Sequence, residues 1–138
     1  MNAHKFYIKE AVKNFNQLSS PELVYDEMRE LKNSDQESLW IIYVNTKNMI
    51  LGKDMISLGG VNSASVDMKI LFRRVLLNNA VSFFIVHNHP SGEVNPSVHD
   101  INLTEEIRKG AKLLQLKLLD HIIIGDKGYY SFNQKNIL

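Results

Sequence analysis

Val81-Ser82-Phe83-Phe84-Ile85-Val86 runs directly into His87-Asn88-His89-Pro90-Ser91-Gly92, and the change of character at residue 87 organises the reading of the chain. The first six residues are apolar on both faces, as in a strand buried at the centre of a sheet. In extended chain, residues two apart point to the same side, so His87 and His89 can present both rings to one ion. Pro90 biases His89 towards an extended conformation and preserves that alignment. The loop from Asn88 to Asn95 turns through Gly92. Asn95-Pro96 then reads as a helix start, a cap followed by proline at the first helical position. The helix carries Ile101, Leu103, Ile107 and Leu113. Its first turn brings Ser97 and Asp100, three residues apart, onto one face, where Asp100 completes a third ligand position.

The same pattern extends outward in both directions. Leu116 to Gly125 reads as a strand, and Asp126-Lys127-Gly128 turns it into a short strand over Tyr129 to Phe132. Upstream, Asp67 can cap a helix containing Ile70, Leu71, Val75 and Leu76. Leu39-Trp40-Ile41-Ile42-Tyr43-Val44 is a second doubly apolar strand. Asn45-Thr46-Lys47-Asn48 turns it into another, Met49 to Leu58, as a hairpin ended by Gly59-Gly60. Ser19-Ser20-Pro21-Glu22 has the form of a capping box with Ser19 as the cap and Glu22 three residues on. With Val24, Met28 and Leu31 at helical spacing it predicts a helix over 20–33. His4 to Phe15, with Phe6, Ile8 and Val12 among charges, reads as an arm or edge strand. The chain is therefore divided into an arm over 1–18 and one α/β domain over 19–138, a mixed sheet with helices packed on it.

A length of 138 residues with 44% hydrophobic content suffices for one core without disulfide or metal staples. Sixteen Lys and Arg against 15 Asp and Glu leave a net charge of +1, which gives no excess to neutralise nucleic-acid phosphates. The absence of cysteine excludes disulfides, a thiol nucleophile and thiolate metal sites, so any zinc must rest on histidine and carboxylate. No signal-peptide pattern is expected in Met1 to Gln17, and no run reaches the roughly 18 apolar residues of a spanning helix. A cytoplasmic protein without a membrane partner is expected.

Two histidines and an aspartate with a fourth position left for water is the pattern of a catalytic zinc, although the same donors suit several first-row ions. Such an ion lowers the pKa of its water from about 15.7 towards 7. A neighbouring carboxylate is then required to take the proton and deliver it to the leaving group.

The ordered set His87-Asn88-His89-Pro90-Ser91-Gly92, Pro96-Ser97 and Asp100 resembles the JAMM motif of the JAB/MPN metalloprotease superfamily. Its wording is similar to the RadC-like branch. The resemblance covers roughly residues 20 to 132 and includes Leu119-Asp120-His121-Ile122-Ile123-Ile124-Gly125 and Gly128-Tyr129-Tyr130-Ser131-Phe132. It implies a cytidine-deaminase-like three-layer fold and one zinc per chain on His87, His89 and Asp100. It further implies that Ser97 stabilises a tetrahedral intermediate, and that Glu37, just ahead of the first strand, acts as general base through the zinc-bound water. The glutamate comes from the resemblance alone. RadC-like proteins often carry an N-terminal helix-hairpin-helix region associated with DNA. With about 19 residues ahead of the first predicted helix, that module is expected to be missing here. Asn88 stands where deubiquitinating relatives tend to have Ser or Thr, so ubiquitin-type specificity is not implied.

Other candidates have simpler readings. Glu93 is a rival base in the loop, but loop carboxylates are usually solvated. His99 projects roughly 100° around the helix from Asp100 and reads as surface. Asp120-His121 reads as a hydrogen-bonded structural pair, with a role in orienting a ligand histidine as the sharper alternative. Trp40, Phe83 and Phe84 read as core, and Lys69, Arg73 and Arg74 as a solvated basic face. The leading expectation is a zinc-dependent hydrolase of amide bonds acting on a peptide or protein. Its rivals are a DNA-repair-associated accessory module that keeps the metal site without peptidase activity, and a non-catalytic metal-stabilised interaction domain.

Overall fold

Alternation along the strands sets the layers. In the computed structural model, which describes residues 17–61 and 66–138, strand β1 (Ser38–Val44) turns Leu39, Ile41 and Tyr43 to one face of the sheet and Ile42 and Val44 to the other. Strand β3 (Ser82–Asn88) does the same with Phe83 and Ile85 against Phe84 and Val86. Each strand is buried from both sides, which is why neither shows a polar face in sequence.

The first face packs on helix α2 (Met68–Leu77) through Leu71 and Val75, and on helix α3 (Val98–Leu113) through Leu103, Ile107 and Ala111. The second face packs on helix α1 (Pro21–Met28) through Val24 and Met28. The sheet thus lies between helices, the three-layer arrangement expected. Among the described residues it has five strands in the order β2-β1-β3-β4-β5, with β2 spanning Ile50–Leu58, β4 Lys117–Gly125 and β5 Gly128–Ser131. Strand β1 pairs antiparallel with β2 and β3, whereas β3 and β4 are parallel and α3 is the crossover between them. The carboxyl end of a parallel strand, where the crossover departs, is the usual place for a ligand in such sheets. His87 and Asn88 lie there.

Three boundaries differ from the sequence reading. The cap of α1 is Ser20, not Ser19; its side chain accepts from the backbone N–H of Leu23, and Pro21 opens the helix. No capping box forms, because the residue three on from Ser20 is Leu23, which has no side-chain acceptor; Glu22 accepts a hydrogen bond from the Tyr129 hydroxyl at 2.6 Å. The predicted helix over 20–33 is α-helical only to Met28 and continues as a 3-10 turn over Arg29–Asn33, which still brings Leu31 against the second core cluster. The third boundary is that of α3, capped by Ser97 and not by Asn95. Ser97 and Asp100 form a reciprocal box that satisfies two backbone N–H groups, which the Asn95-Pro96 pair cannot do. The predicted arm over 1–18 lies outside the described residues except for Gln17, which bridges Met49, and Leu18, which is buried against α1 and the sheet.

Candidate metal centre

Extended backbone carries β3 out of the sheet with alternating side chains, so His87 falls on the α3 face and Asn88 on the other. His87 is fully buried. The loop after it folds back on β4, with the His89 N–H donating to the Ile124 carbonyl at 2.9 Å. The bend is possible because Gly92 adopts φ +92° and because Gly125 has no side chain. A Cβ on Gly125 would lie 2.3 Å from the Gly92 carbonyl oxygen.

At the start of α3 the Ser97 hydroxyl accepts from the Asp100 N–H at 3.0 Å, and the Ser97 N–H donates to Asp100 Oδ2 at 2.8 Å. The cap therefore aims the Asp100 carboxylate at the histidines. His87 Nε2 lies 3.0 Å from His89 Nε2 and 3.2 Å from Asp100 Oδ1, and His89 Nε2 lies 3.2 Å from Asp100 Oδ2. Each histidine thus faces its own oxygen of Asp100, and the separations are near the roughly 3.3 to 3.4 Å between donor atoms that zinc bonds of about 2.0 to 2.1 Å give in a tetrahedron. Two imidazole nitrogens and a carboxylate converging at this spacing fit a cation between them. Glu37 completes the group: one donor atom from each of Glu37, His87, His89 and Asp100 falls within 4.8 Å of the others. Glu37 is set further back, with Oε1 3.7 Å from His87 Nε2.

Sequence reasoning from spacing does not reach Glu37, fifty residues ahead of His87. Asn88 brings it there. The Asn88 side chain accepts from the Ser38 N–H at 2.9 Å and donates to the Gln36 carbonyl at 2.9 Å, clasping the backbone on both sides of Glu37. The Glu37 carbonyl in turn accepts from the Gly59 N–H at 2.7 Å. The residue between the two histidines thus holds the glutamate's segment against β3.

Each imidazole has a partner for its other nitrogen. His89 Nδ1 is 2.8 Å from the Glu93 carbonyl, which can only accept, so Nδ1 carries the proton and Nε2 faces the centre. Glu93 serves the site with its backbone; its exposed side chain is outside the candidate metal group. His87 Nδ1 is 2.7 Å from His121 Nε2, and His121 Nδ1 is 2.6 Å from the Thr104 hydroxyl. Asp120 and His121 are not a side-chain pair. Asp120 points to the opposite face, where it accepts from the backbone N–H groups of His121 and Asn133 and from the Ser131 hydroxyl.

Charge is organised around Asp100. Burial alone would raise its carboxyl, but bonds to His87 and His89 and to the Ser97 N–H hold it well below the usual carboxylate range. The Asp100 bond in turn raises His89, against the opposing effect of its burial. His121 moves the other way, with complete burial and the neighbouring His87 keeping it well below the ordinary histidine value and neutral.

His99 is exposed, as expected from its place on the helix. Phe83 and Phe84 are core, and Trp40 packs at the edge of the second cluster. Of the basic group on α2, Lys69 and Arg73 are exposed, while Arg74 donates to the Met55 carbonyl of β2 at 3.3 Å. Among the described residues no helix is long and apolar enough to cross a membrane.

A mixed sheet between helices, with histidines at the end of a parallel strand and an aspartate at the head of the crossover helix, defines a small α/β domain of the JAB/MPN type with a candidate metal site. The chain belongs to the RadC-like JAB domain family, whose model matches residues 18–137. It is 43% identical over 116 residues to the UPF0758 protein of Clostridium perfringens, covering 84% of this chain and 50% of that one. It is 40% identical over 125 residues to that of Methanosarcina mazei, covering 88% and 53%. The match to that of Carboxydothermus hydrogenoformans is 38% over 119 residues, covering 86% and 53%. The chain spans about half the length of the curated relatives it matches.

Proposed function

We propose that this domain is a zinc-dependent hydrolase of amide bonds, of the metallopeptidase or isopeptidase type, with His87, His89 and Asp100 as ligands and Glu37 as general base. The observation that carries the reading is the convergence of those four side chains at the end of β3, His87, His89 and Asp100 with polar atoms 3.0 to 3.2 Å apart and Glu37 set back. A zinc ion held there supplies Lewis acidity, which polarises a carbonyl and makes water a nucleophile near neutral pH.

The protein's own groups divide the remaining work. Glu37 is about a quarter exposed while His87 and Asp100 are closed off, so its carboxylate can meet both the ion and a substrate arriving from solvent. It accepts the proton of the attacking water and returns it to the departing amine. Ser97 is exposed, and its oxygen already accepts the Asp100 N–H. Its hydroxyl proton is thereby left to donate to the developing oxyanion. The Nδ1 partners of His87 and His89 leave the Nε2 atom of each ring facing the centre, the orientation ligation requires.

The test begins with metal analysis of purified protein, which is expected to give one zinc per chain. His87→Ala should abolish binding. Glu37→Gln should retain the metal and lose turnover of a peptide or isopeptide substrate that the wild-type chain cleaves. Metal-free purified protein that takes up no zinc, or unchanged turnover in Glu37→Gln, would overturn the proposal.

A further inference from the structure

We propose that His121 and Thr104 form a directed hydrogen-bond relay that places the proton of His87 on Nδ1 and so presents a bare Nε2 to the metal. This makes His121 and Thr104 positioning residues, and it rests on the reading of the cluster as a metal site. The geometry fixes the direction from one end. The carbonyl oxygen of Asp100 can only accept, and it lies 2.7 Å from Thr104 Oγ1. The single hydroxyl proton of Thr104 is therefore used there. Were it turned towards His121 instead, two acceptor oxygens would face each other at hydrogen-bond distance with no proton between them. Thr104 Oγ1 must then accept from His121 Nδ1, 2.6 Å away. A neutral imidazole has one N–H, so His121 Nε2 is an acceptor. Its partner at 2.7 Å, His87 Nδ1, has to donate.

Two further features make this a built arrangement. All three side chains are buried: His87 and His121 are 0% exposed and Thr104 3%, so no water competes for these bonds. The relay also ends where it began. It runs from His87 to the backbone of Asp100, whose carboxylate is 3.2 Å from His87 Nε2 on the metal side. Thr104 lies one helical turn after Asp100, and His121 pairs with Ile85 in the parallel β3–β4 register, two residues before His87. The crossover helix and the neighbouring parallel strand thus contribute one member each. His121 also stacks on Phe132 with ring centroids 4.6 Å apart, so its ring can be replaced by another flat ring while the packing is kept.

The first measurement is the tautomer of His121, read from long-range proton–nitrogen correlation spectra of metal-free and zinc-loaded wild-type protein in mildly alkaline buffer. The expected result is a proton on Nδ1 and a bare Nε2 in both. A proton on Nε2 overturns the proposal. The second is zinc affinity by chelator competition. His121→Phe keeps the stack and removes the acceptor, and Thr104→Val removes one hydroxyl. Both are expected to weaken zinc binding, His121→Phe by roughly 10- to 100-fold, with Thr104→Ser restored close to wild type. Unchanged affinity in both His121→Phe and Thr104→Val overturns the proposal. A wild-type chain that takes up no zinc while His121 carries its proton on Nδ1 overturns the metal reading instead, and supports the relay on its own terms.

Discussion

Asn88 joins the two halves of the site. Its amide answers the Ser38 N–H and the Gln36 carbonyl, and it is 1% exposed. Asn88→Ala would leave both backbone groups without that partner and let the segment carrying Glu37 move. The expected cost is about 1–3 kcal/mol in denaturant unfolding. Turnover should fall while zinc content stays near one per chain, since neither ligand histidine depends on the amide. Equal loss of zinc and activity would contradict this division. A second expectation concerns protons. In the metal-free protein the His89–Asp100 bond raises His89, so its stabilisation is present below the unfolded histidine value and is lost as pH rises through the raised one. The depressed Asp100 carboxyl gives up its share only in strong acid, as pH falls through its folded value. The stability difference between metal-free wild type and Asp100→Asn, followed by urea unfolding, should shrink between about pH 6 and 9, whereas buried, neutral His121 contributes the opposite slope to both proteins. Zinc affinity should rise with pH, because protons compete with the ion for His89.

The elements around the site explain which parts could be read in the chain. His87, His89 and Asp100 lie within one strand–loop–helix unit, so alternation, a proline and helical spacing bring them together without knowledge of the rest. Glu37, Asn88 and His121 take their roles from strand pairing. Leu39 opposes His87 and Ile85 neighbours His121. Those registers are set by packing of the whole sheet, so local spacing carries no trace of them. The resemblance supplied Glu37; for Asn88 it bore on specificity and was silent on the clasp around the glutamate. The cap of α3 was misplaced for a smaller reason: both Asn95-Pro96 and Ser97 are good starts, and only the return bond from Asp100 separates them. The same unit depends on the close approach of the metal loop to the end of β4. Gly125→Ala would set a methyl group against the Gly92 backbone and 2.7 Å from Val94 Cγ1. It should push the loop outward and weaken zinc binding measured by chelator competition, more than it disturbs the far-UV circular dichroism spectrum.

For the molecule as a whole, the ion would tie a strand, a loop and a helix that belong to one side of the sheet. A ligand that binds only the folded state adds stability by mass action, about 2.7 kcal/mol when its concentration is a hundred times Kd. Thermal melts are therefore expected to shift upward with added zinc and downward with chelator, and His87→Ala should be insensitive to both. The layered fold was legible because β1 and β3 are apolar on both faces and the helices are amphipathic. Lys69 and Arg73, the two basic residues left exposed on α2, are already counted in the net charge of +1, so the chain carries no basic excess beyond it.

The four side chains of the candidate centre are unequally covered: His87 and Asp100 are 0% and 2% exposed, against 15% for His89 and 26% for Glu37. Access to an ion held there would therefore be one-sided. A chelator withdrawing the metal and a substrate approaching it must use the same doorway past His89 and Glu37. An inhibitor that exchanges faster than the metal is withdrawn should lengthen the lifetime of the bound zinc against chelator, and the concentration that halves the stripping rate should report the inhibitor's own affinity.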